Sequence, residues 1–348
     1  MKKLGPYTIK LDKCPQILGY ASAAGKKEGQ GPLQNRFDII FTDPYIGAES
    51  FEKAESLMQN KVAQKALTKA GISAADIDFI FAGDLLNQCA GSHYGMRGMD
   101  AAFIGLYGAC STMAQSLALA SLFVEAGFAG KTLAVTSSHY CASERQFRFP
   151  LEYGGQRPPT SQCTVTGAGA VIVSDIPFTE DVSPVSGKST PYVKGVTFGK
   201  IVDLGITDQN NMGAAMAPAA CETIKNFLSD TNTNPDNYDL ILTGDLGQVG
   251  SELLLDLMKR DNIDISNVHK DCGMMIFDME NQDVHAGGSG CGAGAAVLCS
   301  TILKDLTSGH LDNVLFAATG ALMSPTAIEQ GETIPGIAHL VHISNTMW

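Results

Sequence analysis

The chain is expected to fold as an internally duplicated α/β protein, and three internal matches carry that expectation. In the first, Phe79-Ile80-Phe81-Ala82-Gly83-Asp84-Leu85-Leu86-Asn87-Gln88 is echoed by Leu240-Ile241-Leu242-Thr243-Gly244-Asp245-Leu246-Gly247-Gln248. Each copy is an apolar run of strand length that stops at Gly-Asp-Leu and follows a helix-like stretch. In the second, Thr166-Gly167-Ala168-Gly169-Ala170-Val171-Ile172-Val173 resembles Cys291-Gly292-Ala293-Gly294-Ala295-Ala296-Val297-Leu298. The third sets residues 131–138 against 313–320. It falls between the other two in the N-terminal half and after both in the C-terminal half, so only the first two match in order. Duplication bears on function because a pocket forms where related halves face each other, and differences between the copies mark the half that keeps chemistry.

Taken in order, residues 17–24 read as a strand, followed by a Gly-rich loop over 25–31. Residues 50–70 read as a helix capped by Ser50, with Ala54, Leu57, Val62, Ala66 and Leu67 at helical spacing and Gly71 ending it. Strands follow over 77–82 and, short and buried, over 101–107. A helix over 111–126 and a strand over 133–137 come next. Residues 140–162 carry Glu144, Arg145, Arg148, Glu152, Arg157 and Pro158-Pro159 and read as a long excursion. A strand over 170–173 closes the first unit. A proline-containing loop over 175–194 makes the seam, which divides the chain into residues 1–194 and 195–348. The second unit runs through a strand near 196–204, a helix over 214–228, a strand over 240–243 and a helix over 252–259. Strands alternating with helices imply parallel sheets covered on both faces. Ligands in such sheets sit beyond the carboxyl ends of the strands, where both Gly-Asp turns fall.

Length agrees: 348 residues correspond to about two domains of ~150 residues. The formal net charge is −12, and Lys2-Lys3 and Lys26-Lys27 are isolated basic pairs, which argues against a nucleic-acid surface. Nine scattered cysteines with no Cys-x-x-Cys argue against a disulfide framework or Cys-rich zinc site and for a reducing compartment. The first thirteen residues lack the apolar region of a signal peptide. The longest greasy stretch, residues 101–128, is interrupted by Ser111, Thr112, Gln115, Ser116 and Glu125, too polar for a bilayer span of ~20 residues. A soluble, cytoplasmic chain is therefore expected. The Gly runs at 167–169 and 290–294 lack the Lys-Ser/Thr of a P-loop and the spacing of a dinucleotide site, so no nucleotide cofactor is expected.

Gly108-Ala109-Cys110-Ser111-Thr112 stands between a strand and a helix. A cysteine there faces the positive end of the helix dipole, which favours thiolate and makes a nucleophile. A small thiol packing at a tight turn is the alternative.

A strand, Ala-Cys-Ser-Thr, a helix and a two-fold α/β duplication together resemble the thiolase family, which includes the β-ketoacyl synthases. The resemblance implies a five-layered α-β-α-β-α fold with the Cys110 helix buried between two sheets, and a dimer formed through the edge of the N-terminal sheet. In condensing members the cysteine is acylated by a thioester, assisted by two His, or His and Asn, from the second half. Here the first of those turns reads Gly244-Asp245-Leu246-Gly247 and the second Gly287-Gly288-Ser289-Gly290, so Gly288 fills a slot where an Asn or His is expected. An ionised Asp245 accepts hydrogen bonds and cannot serve as an oxyanion donor. The nucleophile is kept and its machinery is not.

Further segments, among them residues 82–88, 143–148, 201–208, 287–291 and 334–339, resemble a sporulation branch of the family. That resemblance implies a catalytically silent binder of dipicolinic acid, or of its calcium chelate, acting with membrane channel subunits in loading the developing spore and placed at the forespore membrane. Asp84 and Asp245 then face one cavity with Cys110 between them, either accepting from a protonated ligand or touching Ca²⁺, which favours oxygen ligands. An Asp that caps the next turn is the plainer reading. Arg145 and Arg148 offer bidentate geometry to a diacid, or pair with Glu144 or Glu152. His139 and His285 lie near strand ends within range of the pocket, or serve as structural hydrogen-bonders. His269, His310, His339 and His342 read as structural or solvent-facing. The rival reading is an acyltransferase of ketoacyl-synthase type with Cys110 as its acyl acceptor; a third is a pure scaffold for membrane subunits.

Overall fold

The computed structural model describes residues 1–147, 157–175 and 190–347. Its first half holds β1 (Lys2–Lys3), β2 (Thr8–Lys10), β3 (Gln16–Ala24), β4 (Ile39–Ile40), β5 (Phe79–Gly83), β6 (Ala102–Leu106), β7 (Lys131–Ser138), β8 (Cys163–Thr164) and β9 (Gly167–Ser174). The second half holds β10 (Tyr192–Phe198), β11 (Leu240–Thr243), β12 (His269–Asp271), β13 (Gly288–Ser289), β14 (Asn313–Ala321) and β15 (Gly336–Ser344). Five strands of each half form a sheet, in the orders β3-β9-β7-β5-β6 and β10-β15-β14-β11-β12. Numbered within its half, each order reads 1-5-4-2-3, so the duplication holds at the level of topology. A single residue pair, Tyr192 with Gln16, joins β10 to β3. β2 pairs with β1 and β10, β4 extends beside β3, and β8 pairs with β13 in a separate ribbon.

Neither sheet is wholly parallel, which corrects the expectation. β9 runs against β3 and β7, and β15 against β10 and β14. The chain leaves β7 through α4 (Tyr140–Phe147) and leaves β14 through α10 (Pro325–Glu329). Neither connection carries the chain back along the sheet, so the next strand starts where its predecessor stopped and runs backward.

Helices complete five layers. α1 (Phe51–Ala70) and α2 (Ala90–Met96) cover the outer face of the first sheet, and α5 (Met212–Thr231) and α6 (Gly247–Arg260) that of the second. Between the sheets lie α3 (Thr112–Glu125) and a run of α8 (Cys291–Val297), a π turn over Leu298–Ile302 and α9 (Leu303–Ser308); α7 (Cys272–Met275) packs beside α8. Three apolar clusters fill the gaps, centred on Met58, Val62 and Ile172; on Phe81, Leu117 and Phe316; and on Ile224, Phe227 and Leu340. α1 starts where Ser50 accepts the Lys53 amide and ends at Gly71, whose φ of 68° suits glycine. Its buried stripe is Ala54, Met58, Val62, Ala66 and Leu67, while Leu57 turns outward. α3 is buried almost all round, as a central layer requires.

The second internal match is not an equivalence. Residues 167–174 form a strand and residues 291–297 a helix, and they pack on each other. A Cβ on Gly169 would lie 2.3 Å from the Ala295 carbonyl oxygen, and one on Gly292 would lie 2.4 Å from the Gly167 oxygen. Both segments are rich in Gly and Ala because their backbones touch. The out-of-order match, residues 131–138 with 313–320, joins the true counterparts β7 and β14.

Two further corrections concern position. β6, expected to be buried, is the outer strand of its sheet, with Phe103 39% exposed. The start of the excursion is helical, because Tyr140–Phe147 form α4.

Candidate functional site

The two Gly-Asp turns end β5 and β11, and their carboxylates have diverged. Buried Asp84 accepts from the Leu86 amide at 2.8 Å, the Ser92 amide at 2.7 Å and the Ser92 hydroxyl at 2.6 Å. It pins the first turn of α2 to its strand. Asp245, equally buried, accepts from the Gly290 amide at 2.8 Å, the Thr319 hydroxyl at 2.9 Å and the Ser289 hydroxyl at 3.2 Å, and its charge bears on the Cys110 thiol. Burial pushes its pKa up to about 6, so it is mostly ionised at neutral pH. Capping in the second half falls instead to Asp271, which accepts from Thr243, Leu246 and Gly247 at 2.6, 2.8 and 3.0 Å. Burial first, and the charge of Asp245 as well, push the Asp271 pKa up to about 7.

Cys110 lies in a short turn, Ala109–Ser111, before α3, and Ala109 takes a left-handed φ of 49° to present it. The expected activation is absent. Burial raises the thiol pKa well above its ordinary value, and the Asp245 carboxylate raises it further. Any help from the helix N-terminus is outweighed by desolvation and an adjacent negative charge.

Cys110 and Ser289 open on a cavity of about 240 Å³. Its walls are mainly apolar, from Leu85, Tyr107, Phe147, Met212 and Met323, with Ser143, Glu144 and Thr164 as further polar groups. The Thr164 hydroxyl donates to Glu144 at 2.9 Å. Among the described residues that line it there is no His, Lys or Arg.

The structure therefore brings Cys110 and Asp245 together and places the other candidates elsewhere. Asp84 is turned to its cap. His139 is buried with Nε2 2.8 Å from the Pro44 oxygen, its ring stacked on Phe51 and its pKa lowered by burial. His285 sits 3.3 Å from the Asp283 carboxylate at the surface. Arg145 pairs with Glu52, and Arg148 lies outside the described residues. Gly288 is in β13, where a Cβ would lie 2.9 Å from the Val165 side chain, so packing closes the slot. His269, His310, His339 and His342 bond to Thr243, Ser308, Gly199 and Asn313. Sequence reading missed Thr164, Gln162 and the apolar wall, and weighed Glu144 only as an ion-pair partner. Gln162 donates to the Asp245 and Gly288 carbonyls at 2.8 and 2.7 Å, tying the turn at Gly244-Asp245 to the Gly-rich turn at 287–290. No local motif marks these positions; only the folded contact does.

Solved structures with the same architecture define the class. The chain superimposes with a TM-score of 0.55 on 3-oxoacyl-[acyl-carrier-protein] synthase III from Aquifex aeolicus, at 13% identity, covering 95% of this chain and 99% of that one. The TM-score is 0.58 for the tetronic acid condensing enzyme AbyA1, at 16% identity and 95% and 99% coverage. It is also 0.58 for cerulenin-bound OleA from Xanthomonas campestris, at 15% identity and 96% and 99% coverage. The fold is thiolase-like, of the ketosynthase type. More specifically, the Stage V sporulation protein AD (SpoVAD) family model matches residues 5–344. Stage V sporulation protein AD of Bacillus subtilis is 45% identical over 339 residues, 97% of each chain. The chain belongs to the stage V sporulation protein AD family.

Proposed function

We propose that this sporulation protein is a non-catalytic receptor for dipicolinic acid or its calcium chelate, using the Cys110 cavity. The observation that carries the reading is that Cys110 opens on a cavity lined by no described imidazole, while burial and then the Asp245 charge raise its pKa. Such a site binds without turning over. Its size suits the ligand, since a cavity of roughly 150 Å³ already takes up benzene. Its apolar walls suit the faces of a planar ring. Glu144 disfavours a free dianion, so the ligand enters with its charge neutralised by protons or by calcium. Among the described residues no group of three or more His, Cys, Asp or Glu is arranged to hold a metal, so the calcium of a chelate arrives bound by its ligand. Paired Asp84 and Asp245 do not supply such a site, because each already accepts from several donors.

The open edge of β6, with Phe103 and Tyr107 exposed, supports pairing with a second copy through the N-terminal sheet. Among the described residues no helix is long and apolar enough to cross a membrane, so contact with channel subunits at the forespore membrane would be peripheral.

Calorimetric titration with dipicolinate, with and without one equivalent of calcium, tests the reading. Saturable binding that Ala321→Phe abolishes supports it, because Ala321 lines the cavity and the ring would fill it. No heat in either titration, or affinity unchanged by the blockade, sinks it.

A further inference from the structure

Attack on a thioester needs a thiolate, together with donors aimed at the oxygen that becomes negative. The donors beside Cys110 are the Ser289 hydroxyl, which lines the same cavity as the thiol, and the amide of the next residue, Gly290. Both already donate to Asp245 Oδ2, at 2.8 and 3.2 Å, and Thr319 donates to its Oδ1 at 2.9 Å. The carboxylate is fully buried and cannot swing to solvent without leaving these partners unpaired.

We propose that Asp245 is an internal silencer of Cys110, its carboxylate occupying the donors beside the sulfur and opposing the negative charge of a thiolate. Three further groups stand near the pair. Cys291 approaches from α8, Glu144 lines the cavity from α4, and Asp271 stands behind Asp245. Silence thus has an electrostatic part set by Asp245, added to the burial of the thiol and to the loss of a base, and the nucleophile is latent. This inference does not depend on what the cavity binds.

Alkylation by iodoacetamide, mapped to Cys110 by peptide mass, reads it without any ligand. The Cys110 thiolate forms the S–C bond, the C–I bond breaks, iodide leaves and the thiol proton passes to buffer. Asp245→Asn keeps the shape and removes the charge. In the folded variant Cys110 should react at least tenfold faster at pH 8, with its rate inflection at least one pH unit lower, one unit being tenfold in thiolate. Half-buried Cys141, alkylated at an unchanged rate, controls for reagent and access. A folded variant with the wild-type rate and inflection overturns the proposal. The wild type provides a second arm should the variant fail to fold. Its Cys110 rate should still climb at pH 10, and a plateau below about pH 9, as for an ordinary thiol, overturns the proposal equally.

Discussion

Asp84 and Asp245 stand at the same point of the two halves, each following the glycine that ends the second strand, yet their carboxylates turn to different work. The first closes on the amides of Leu86 and Ser92, and the second reaches across to Gly290, Thr319 and Cys110. What frees the second is Asp271, which supplies the cap that Asp84 supplies in its own half. One copy of a repeated element keeps the structural task, and the other is available to a site.

Asp84→Ala should therefore act on stability and not on binding. It strands three buried donors, each costing ~1–3 kcal/mol when left unpaired. With partial relaxation, a loss of about 2–4 kcal/mol is expected in urea unfolding. Dipicolinate affinity of the folded protein should be unchanged, since Asp84 does not line the cavity. A drop in affinity at unchanged stability would return Asp84 to the site.

Glu144→Gln separates the two forms in which a diacid can enter. With the lining carboxylate neutralised, calcium-free dipicolinate should bind several-fold more tightly, because two like charges a few ångströms apart repel by a few kcal/mol at an effective dielectric near 20. The calcium chelate should gain nothing. Calorimetry at pH 7 in the presence of chelator, and again with excess calcium, gives the comparison. Equal gains in both titrations contradict the charge argument.

Glu55 carries a pH prediction. It is fully buried in α1, accepts from the Ser137 hydroxyl at 3.0 Å, and its second oxygen, Oε2, has no hydrogen-bond partner. Burial first, then the charge of Asp84, raise its pKa well above the ordinary carboxylate value. The folded state therefore holds a proton that the unfolded state gives up above about pH 4.3, and this contribution to stability shrinks as pH rises. Glu55→Gln removes that dependence, so the variant should gain on the wild type steadily between pH 5 and pH 8 in urea midpoints. A constant difference across that range would show Glu55 ionised in the native state.

Phe103→Asp tests the edge strand. A charge on the exposed face of β6 opposes pairing with a second copy. Light scattering after size exclusion should show the wild type at twice the chain mass and the variant at the chain mass. A wild-type monomer ends the proposal of a dimer.

Much of this architecture could be read from the chain because its elements carry plain punctuation. Ser50 and Gly71 bracket α1, and the strand over residues 240–243 coincides with an apolar run stopped by glycine. The Cys110 turn was legible for the same reason, lying between a strand and a continuous apolar helix. The chemistry of the thiol was not, since a helix N-terminus is visible in sequence and the burial that overrides it is not. Nor could Asp84 be told from Asp245: their local sequences match, and the deciding partner comes from another strand. Gly- and Ala-rich runs fit strand and helix alike, which is how β9 and α8 passed for copies when they are neighbours. Glu144 and Thr164 meet only after the chain has left α4 and returned in β8.

That neighbourhood sets a tolerance on the whole site. Gly290, the Asp245 donor, is held to the rest by a backbone-on-backbone seam in which Gly169 and Gly292 leave no room for a methyl group. A single added carbon there, well away from the cavity mouth, would shift α8 bodily and drag Ser289 and Gly290 off register with the sulfur. Drift at those glycines is thus expected to surface as a changed cavity before it surfaces as misfolding, and the permissible sequence variation of the pocket is governed in part by residues that do not line it.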